Sequence, residues 1–391
     1  MTDGRRAVLA AVAVNLVSVL PLFLTGAMAV QIGRTFAIQP TSIAVMASIF
    51  ALTSMLGSAP LGGRVGRWGV RRSLTIAAGT AAATLIIAGL SPSTWVLGAA
   101  LAIAGASNAL GQPAANALIA AHVPPRRFGL GYGIKQSGIP LATTLGGLAV
   151  PLVALSIGWR AAFFIAAALA LATITLIPTD ATATTGRTEG AVPAGTARPL
   201  WLLGLGLAGV VVAATSIGAF GTVGGVAVGL SEGTAGYLVA VGGFAGLFIR
   251  LGAGAYADRR WFDSLRGVAI LAALGAVGWL AMATGGRWAF CAGLVVANAF
   301  GWGWPGLQQL TIARRFPTST AAASGIAQTG VALGLLLGPI SIGTIASTGG
   351  WSWAWAAAAS TALIGAGVAW WLAGVLPTDH PPQRATARRT P

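Results

Sequence analysis

The sequence predicts an all-α membrane protein with twelve transmembrane helices in two pseudo-symmetric six-helix bundles. The 391-residue chain is 56% hydrophobic and only 8% charged, whereas a soluble domain carries about 25% charged residues. Its apolar stretches are long and continuous, without the two-residue alternation of barrel strands. The two halves of the chain also repeat each other at a fixed offset, which predicts two related bundles.

Apolar segments of about 20 residues can cross a bilayer as helices, and twelve of them follow one another along the chain. They cover about residues 7–32, 43–63, 73–90, 95–120, 129–156, 160–178, 199–221, 235–257, 265–284, 287–313, 321–347 and 352–376. Pro21 interrupts the first segment, and Pro140 and Pro151 interrupt the fifth, so these two helices are expected to be tilted or broken. A cleavable signal peptide is not expected, because the first segment is longer than a typical h-region.

The formal net charge of +16 would suit a nucleic-acid-binding protein. The positive residues, however, are spread over short loops between the apolar segments, where the positive-inside rule explains them better. The amino terminus and alternate loops carry eighteen arginines, against only Arg34, Arg160 and Arg287 on the other side. This asymmetry predicts that both termini are cytoplasmic. The single lysine among 22 arginines is typical of a GC-rich bacterial genome, so a bacterial inner membrane is expected.

Composition divides the chain into four regions. Residues 1–178 and 199–376 are the two six-helix halves. Residues 179–198, rich in Thr, Ala, Gly and Pro, are predicted to be a flexible cytoplasmic linker. Residues 377–391, rich in Pro and Arg, are predicted to be a disordered cytoplasmic tail.

The halves repeat at an offset of 192 residues. The clearest stretch is residues 133–138 (GIKQSG) against residues 325–330 (GIAQTG). Other matching pairs are Gly62 and Gly254, Pro113 and Pro305, Gly146 and Gly338, and Trp159 and Trp351. Six spans per repeat is an even number, so both halves run the same way and are related by an axis along the membrane normal.

Two loops in corresponding positions carry a recognisable pattern. The loop after the second segment reads Gly62-Gly-Arg-Val-Gly66-Arg67-Trp-Gly69-Val-Arg71-Arg72, and the loop after the eighth reads Gly254-Ala-Tyr-Ala-Asp258-Arg259-Arg260. Two six-span halves with these loops resemble the major facilitator superfamily, whose pattern is Gly-x-x-x-Asp-Arg-x-Gly-Arg-Arg. Gly66 occupies the position at which the family pattern has Asp. The resemblance implies that these loops gate the cytoplasmic face, through Gly62, Arg67, Gly69, Arg71, Gly254, Asp258 and Arg259. The alternative is that the arginines only fix topology.

Two cations lie inside apolar segments, whereas all seven acidic residues lie at segment ends or outside them. Lys135 and Arg250 are each about 10–12 Å from the same membrane side at the helical rise. A charge at mid-membrane depth costs about 2.5–3.5 kcal/mol. In the superfamily, helices five and eight face each other, which implies that both cations border one central cavity and bind an anionic substrate there. The alternatives are snorkelling to the headgroups or pairing with backbone carbonyls.

Further substrate contacts are expected on the helices that line the cavity in this superfamily. Asn108, Gln112 and Asn116 form one polar stripe on the fourth segment. The other candidates are Gln136 and Gln328, which match each other in the repeat, and Trp302 and Trp304 in the tenth segment. Polar side chains on other lining helices include Asn15, Thr25 and Gln31. The alternative for any of these amides is an interhelical hydrogen bond, which contributes about 0.6 kcal/mol on average.

These observations predict a secondary transporter that moves a small, carboxylate-like anion by alternating access. It is expected to act as a monomer in the lipid bilayer, without a cofactor, and to catalyse no reaction. The alternative is a proton-coupled drug or metabolite efflux pump of the same fold. Antiporters of the family carry Gly-x-x-x-Gly-Pro-x-x-Gly-Gly in helix five, and the spacing of Gly138, Pro140 and Gly146 does not match it.

Three coupling schemes remain open, namely exchange for a counter-anion, symport with protons through Lys135, and facilitated diffusion. The lone Cys291 excludes an internal disulfide. His122 and His380 are too far apart in the sequence to suggest a metal site.

Overall fold

The computed structural model describes residues 3–124, 127–179, 195–259, 262–316 and 320–376, and every regular element in these ranges is a helix. The first half consists of α1 (Asp3–Ala27), α2 (Ala29–Phe36), α3 (Pro40–Trp68), α4 (Val70–Leu90), α5 (Thr94–His122), α6 (Phe128–Gln136), α7 (Gly138–Ala149), a π-helical turn (Val150–Ala154) and α8 (Trp159–Leu176). The second half consists of α9 (Ala197–Ala227), α10 (Glu232–Arg259), α11 (Ser264–Ala283), α12 (Arg287–Gly301), α13 (Pro305–Arg315), α14 (Thr320–Gly349) and α15 (Trp351–Ala373).

Within the described ranges, eleven stretches are long and apolar enough to cross a membrane. The twelfth span is the pair α12 and α13, which is interrupted at residues 302–304, so that neither part has the full length. The predicted fold of twelve helices in two six-helix bundles is confirmed. The predicted linker is described only at its two ends, and the predicted tail lies outside the described residues.

Each half has its own packed interior, filled mainly by Ala, Leu, Val and a few aromatic side chains. Glycines allow helices to approach closely, as is usual between helices in membranes. A Cβ on Gly330 of α14 would lie 1.8 Å from the carbonyl oxygen of Gly204 on α9. The end of the bundle where α1 begins and α15 ends is called the termini end, and the other is called the opposite end.

The two halves meet chiefly along α7 with α10, α3 with α14, α6 with α10 and α13, and α1 with α9. The closest approach is between α1 and α9, where a Cβ on Gly26 would lie 1.9 Å from the carbonyl oxygen of Gly218. The hydroxyl of Ser48 on α3 donates to the carbonyl oxygen of Leu336 on α14 at 2.7 Å. The halves are thus in contact through α1 and α3 as well as through α6 and α7.

Three spans are interrupted, and the interruptions position the site. Span one continues through Pro21 and breaks instead at Met28, so the break expected at Pro21 is displaced. In span five, one helix ends at Gln136, the next begins at Gly138, and the π-helical turn that contains Pro151 follows. Interruptions of this span were predicted from Pro140 and Pro151. Span ten breaks before Pro305, which occupies the first turn of α13, where proline is well accommodated.

Candidate functional site

Lys135 lies in the last turn of α6, immediately before the interruption of span five. Only 1% of the residue is exposed, so its side chain points into the protein and does not reach a membrane surface. The ammonium nitrogen Nζ donates a hydrogen bond to the side-chain oxygen Oε1 of Gln112 on α5. A neutral amide oxygen is therefore the partner of this buried cation.

Gln112 is itself held by two other amide side chains. Its Nε2 donates to Oδ1 of Asn15 on α1 and, at 3.2 Å, to Oδ1 of Asn108 on α5. Asn15 Nδ2 donates in turn to the carbonyl oxygen of Lys135 at 2.7 Å. Asn15, which is fully buried, thus contacts both the backbone of Lys135 and the glutamine that binds its ammonium group.

Arg250 lies in α10, in the other half of the protein, and is 2% exposed. Its Nε donates to the carbonyl oxygen of Trp302 at 2.5 Å, and its Nη1 donates to the carbonyl oxygen of Gln136. Both carbonyls lie at helix interruptions. Trp302 follows the end of α12, and the Gln136 carbonyl lacks its usual helical donor because Pro140 has no N–H. Arg250 therefore connects the break in span ten with the break in span five.

The guanidinium group of Arg250 retains one donor without a partner. Within the described residues, its Nη2 is buried and makes no hydrogen bond, and the same holds for the side-chain oxygen of Gln136. A buried donor left unpaired costs about 1–3 kcal/mol, and more when it is charged. A bound oxyanion would supply the missing acceptor.

The two cations come from opposite halves and lie close together. The carbonyl that Arg250 binds belongs to the residue directly after Lys135. In the described part of the chain neither cation forms an ion pair with a carboxylate. The low exposure of both shows that the pair is closed off from either end of the protein. The result is a buried site of uncompensated positive charge.

The structure brings together only some of the predicted site residues. Lys135, Gln112 and Asn108 share one network, and Gln136 and Trp302 contribute carbonyl oxygens to Arg250. The indole groups of Trp302 and Trp304 lie in the core of the second half, where their Nε1 atoms donate to the carbonyls of Ala214 and Gly301, both at 2.9 Å. Asn116 and Gln328 are half-buried on α5 and α14, without hydrogen bonds to the network in the described part.

Two members of the network were missed from the sequence. The hydroxyl of Ser18 on α1 donates to Oδ1 of Asn108 at 3.1 Å, and Asn108 Nδ2 donates to the hydroxyl of Ser54 on α3 at 2.8 Å. Isolated serines are common in transmembrane helices, so only their contacts with Asn108 in the folded structure identify them. Asn15 carried a clearer signal, because it is an amide in the middle of an apolar segment.

The predicted gating loop of the first half forms the turn between α3 and α4. Gly69 separates the two helices with a φ of 81°, a left-handed conformation that favours glycine. Arg67 and Arg71 are exposed on either side of it. About two turns earlier, a Cβ on Gly62 would meet the side chain of Pro113 at 3.5 Å, so this part of α3 packs on α5.

The matching pattern of the second half is not a loop up to residue 259, because residues 254–259 form the last turns of α10. Gly254 is buried in that helix, whereas the side chains of Asp258 and Arg259 lie outside the described residues. The end of this helix is bound by another arginine, Arg314 of α13, whose Nη2 donates to the carbonyl oxygen of Ala257 at 2.8 Å. An arginine at the carbonyl end of a helix satisfies an unpaired acceptor and complements the helix dipole.

At the opposite end, Glu232 links the two halves. It begins α10, and its Oε2 accepts a hydrogen bond from Nε2 of Gln31 on α2 at 2.7 Å. It also forms an ion pair with Arg34, likewise on α2. The side chain of Glu232 is 14% exposed and that of Arg34 is 68% exposed, so the pair lies at the rim, in contact with solvent.

Comparison with known proteins agrees with this architecture. The chain superposes with a TM-score of 0.71 on the crystal structure of a bacterial homolog of the human lysosomal transporter Spinster, in its inward-facing and unoccupied conformation. The two share 18% sequence identity over 96% of this chain and 98% of that one. The occupied, inward-facing structure of such a homolog gives a TM-score of 0.69 at 18% identity, over 94% and 96% of the two chains.

No curated protein matches the sequence. The family model of the Major Facilitator Superfamily, in contrast, matches residues 10–318. These residues include the interrupted fifth and tenth spans, both buried cations and the predicted gating loops. The chain therefore belongs to the Major Facilitator Superfamily of transporters.

Proposed function

We propose that this transporter moves a small anionic solute, of the size and charge of a simple carboxylate, across the cytoplasmic membrane. The single observation that carries the proposal is the pair of buried cations, Lys135 and Arg250, which face only neutral hydrogen-bond acceptors in the described part of the chain. Alternating access is the general mode of transport for this fold, and it brings such a site into contact with each side in turn.

Electrostatics favours an anion at this site. Each buried cation costs about 2.5–3.5 kcal/mol at mid-membrane depth, and the two like charges also repel each other. A carboxylate placed between them would offset both terms. The guanidinium group of Arg250 has a free Nη2 donor for one oxygen, and the ammonium group of Lys135 has further N–H donors for the other.

The geometry suggests how binding and movement are linked. Arg250 belongs to the second half and holds a carbonyl of the first. An anion that binds at the free Nη2 would draw the guanidinium group away from this carbonyl, and so it would weaken a contact that holds the halves together. Binding would thereby favour the rearrangement that exposes the site. In the same way, an oxygen of the solute on the ammonium group of Lys135 would weaken its bond to Gln112.

Orientation and coupling complete the proposal. The excess of arginine at the termini end supports a cytoplasmic position of both termini, and the composition favours a bacterial inner membrane and a monomeric carrier. Exchange for a counter-anion is the preferred scheme, because an empty site with two cations is costly to move. Proton symport and facilitated diffusion are the other schemes, and uptake with and without a preloaded anion separates them.

The test is a thermal-shift screen of the purified protein against formate, oxalate, nitrate, cyanate and methanesulfonate at constant ionic strength. A ligand that binds only the folded state at 100 times its Kd stabilises the protein by about 2.7 kcal/mol. We expect at least one anion to raise the Tm of the wild-type protein but not that of Lys135→Ala. Arg287→Ala is the matched control, since it removes an exposed cation at the opposite end and should keep the response.

Two results would contradict the proposal. One is a response to the anions that is the same in Lys135→Ala as in the wild-type protein. The other is stabilisation only by hydrophobic cations such as tetraphenylphosphonium, which would instead favour the efflux pump of the same fold.

A further inference from the structure

The hydrogen bonds around Lys135 form a closed ring of three residues. The ammonium group of Lys135 donates to Gln112 Oε1, Gln112 Nε2 donates to Asn15 Oδ1, and Asn15 Nδ2 donates to the carbonyl oxygen of Lys135. Lys135 thus supplies both the first donor and the last acceptor. Every bond points the same way round the ring.

The two groups of Lys135 in the ring, its carbonyl oxygen and its ammonium group, fix the direction of the hydrogen bonds. A carbonyl oxygen only accepts, so the Asn15 atom that faces it must be the NH2 group. The oxygen of Asn15 then faces Gln112, which must present its own NH2 group. This leaves the oxygen of Gln112 for the ammonium group, which only donates. Asn15 and the ammonium group therefore require the same orientation of the Gln112 amide, and Asn15 fixes it from the NH2 end.

We propose that Asn15 is a positioning residue for the anion site, which holds the NH2 end of Gln112 and thereby keeps the Gln112 oxygen and the Lys135 ammonium group in place. The proposal rests on the anion-transport function, since Lys135 is the group that meets the solute. Asn15 acts through Gln112, without itself touching the solute. Asn108 supports the same orientation, because its oxygen accepts from Gln112 at 3.2 Å.

The repeat agrees with a dedicated role. At the offset of 192 residues, Lys135 corresponds to Ala327 and Gln112 corresponds to Trp304. Both of these counterparts lie in the hydrophobic core of the second half. The ring is therefore a property of one half alone, whereas the scaffold around it is common to both.

Lys135 is the only lysine in the chain, which allows a direct test. Protein made with lysine carrying 13C at the carbonyl and ε positions gives one carbonyl signal and one side-chain signal, and both can be followed by NMR of the full chain in micelles. We expect Asn15→Leu to shift both signals. Gln112→Leu should reproduce the shift of the ε signal, and Thr84→Val, which alters a buried hydroxyl bonded within its own helix, should leave both signals in place.

The decisive measurement is the double variant. If Asn15 acts through Gln112, Asn15→Leu together with Gln112→Leu shifts the ε signal no further than Gln112→Leu alone. Additive shifts, or an unchanged ε signal in Asn15→Leu, would overturn the proposal. Asn15→Ala also removes the whole amide group, so it serves if the leucine variant does not fold. These signals report the ring whether or not an anion binds, so the anion screen can fail while the ring stands.

Discussion

Arg250 and Pro140 act on the same carbonyl oxygen, that of Gln136. Pro140, four residues further along span five, lacks the N–H that would bond this oxygen in a continuous helix, and the guanidinium group of Arg250 donates to it from the other half of the protein. The proline thus creates an acceptor in the membrane, and the arginine satisfies it.

The first prediction concerns this pair. Arg250→Ala leaves the Gln136 carbonyl unpaired, which costs about 1–3 kcal/mol, and should lower the Tm. Adding Pro140→Ala restores an N–H donor within the helix, so the double variant should regain stability but not anion binding. Pro151→Ala in the Arg250→Ala background is the matched control, because that proline affects a different carbonyl. Equal recovery with either proline variant would show that the Gln136 carbonyl is not the cause.

The second prediction is that Arg250→Lys does not replace the arginine. The planar guanidinium group reaches the carbonyls of Trp302 and Gln136 with two nitrogens, whereas an ammonium group is a single point charge on a flexible stem. We expect a lower Tm and weaker stabilisation by the anions of the screen, with Arg287→Lys as the control. Wild-type behaviour of Arg250→Lys would mean that the charge alone matters and the carbonyl contacts do not.

The third prediction concerns the contact of α1 with α9. In Gly26→Ala, the new methyl group would lie 1.9 Å from the carbonyl oxygen of Gly218. This distance is too short, so the two halves must separate there. Nitroxide labels at Gln39 and Ser231, in a chain with Cys291→Ser, should show a longer distance by pulsed electron paramagnetic resonance. Gly79→Ala, with no heavy atom within 4 Å of the new methyl group, should leave the distance unchanged. If both variants keep the wild-type distance, α1 and α9 do not control closure.

The fourth prediction concerns Glu232. Glu232→Gln removes the ion pair with Arg34, and an exposed pair of this kind contributes about 0.2–1 kcal/mol. The population with the opposite end open should therefore increase up to about fivefold, measured with the same label pair. In the wild-type protein, high salt should act in the same direction because it screens the pair. Insensitivity of the label distance to both the substitution and salt would exclude Glu232 as a contact that favours closure.

Much of the fold was predictable because bilayer thickness and hydropathy constrain helices strongly. The spans followed from the lengths of the apolar segments, and the two related bundles followed from the repeat. The break in span five was predicted by Pro140 and Pro151, since proline removes a helical hydrogen bond wherever it lies. The position of the break in span one was not predicted, because Pro21 lies within a continuous helix and the interruption falls at Met28.

The site was predictable only in part. Lys135 and Arg250 were conspicuous because a charge in an apolar segment is costly, and their burial is what the hypothesis required. Their partners were not predictable, since a carbonyl oxygen such as that of Gln136 belongs to every residue and is freed only by the local helix geometry. The serines that bond Asn108 lie on separate helices, so their role depends on tertiary packing that spacing along the chain does not show.

The bond from Arg250 to the first half has a consequence for the energy supply of the cell. A carrier that returned empty after it released an anion would move net charge in every cycle and would lower the membrane potential that drives other uptake systems. Here the guanidinium group of Arg250, which would bind the solute, also bonds the two halves together when no solute is bound. Idle copies would therefore cost the cell little of its membrane potential.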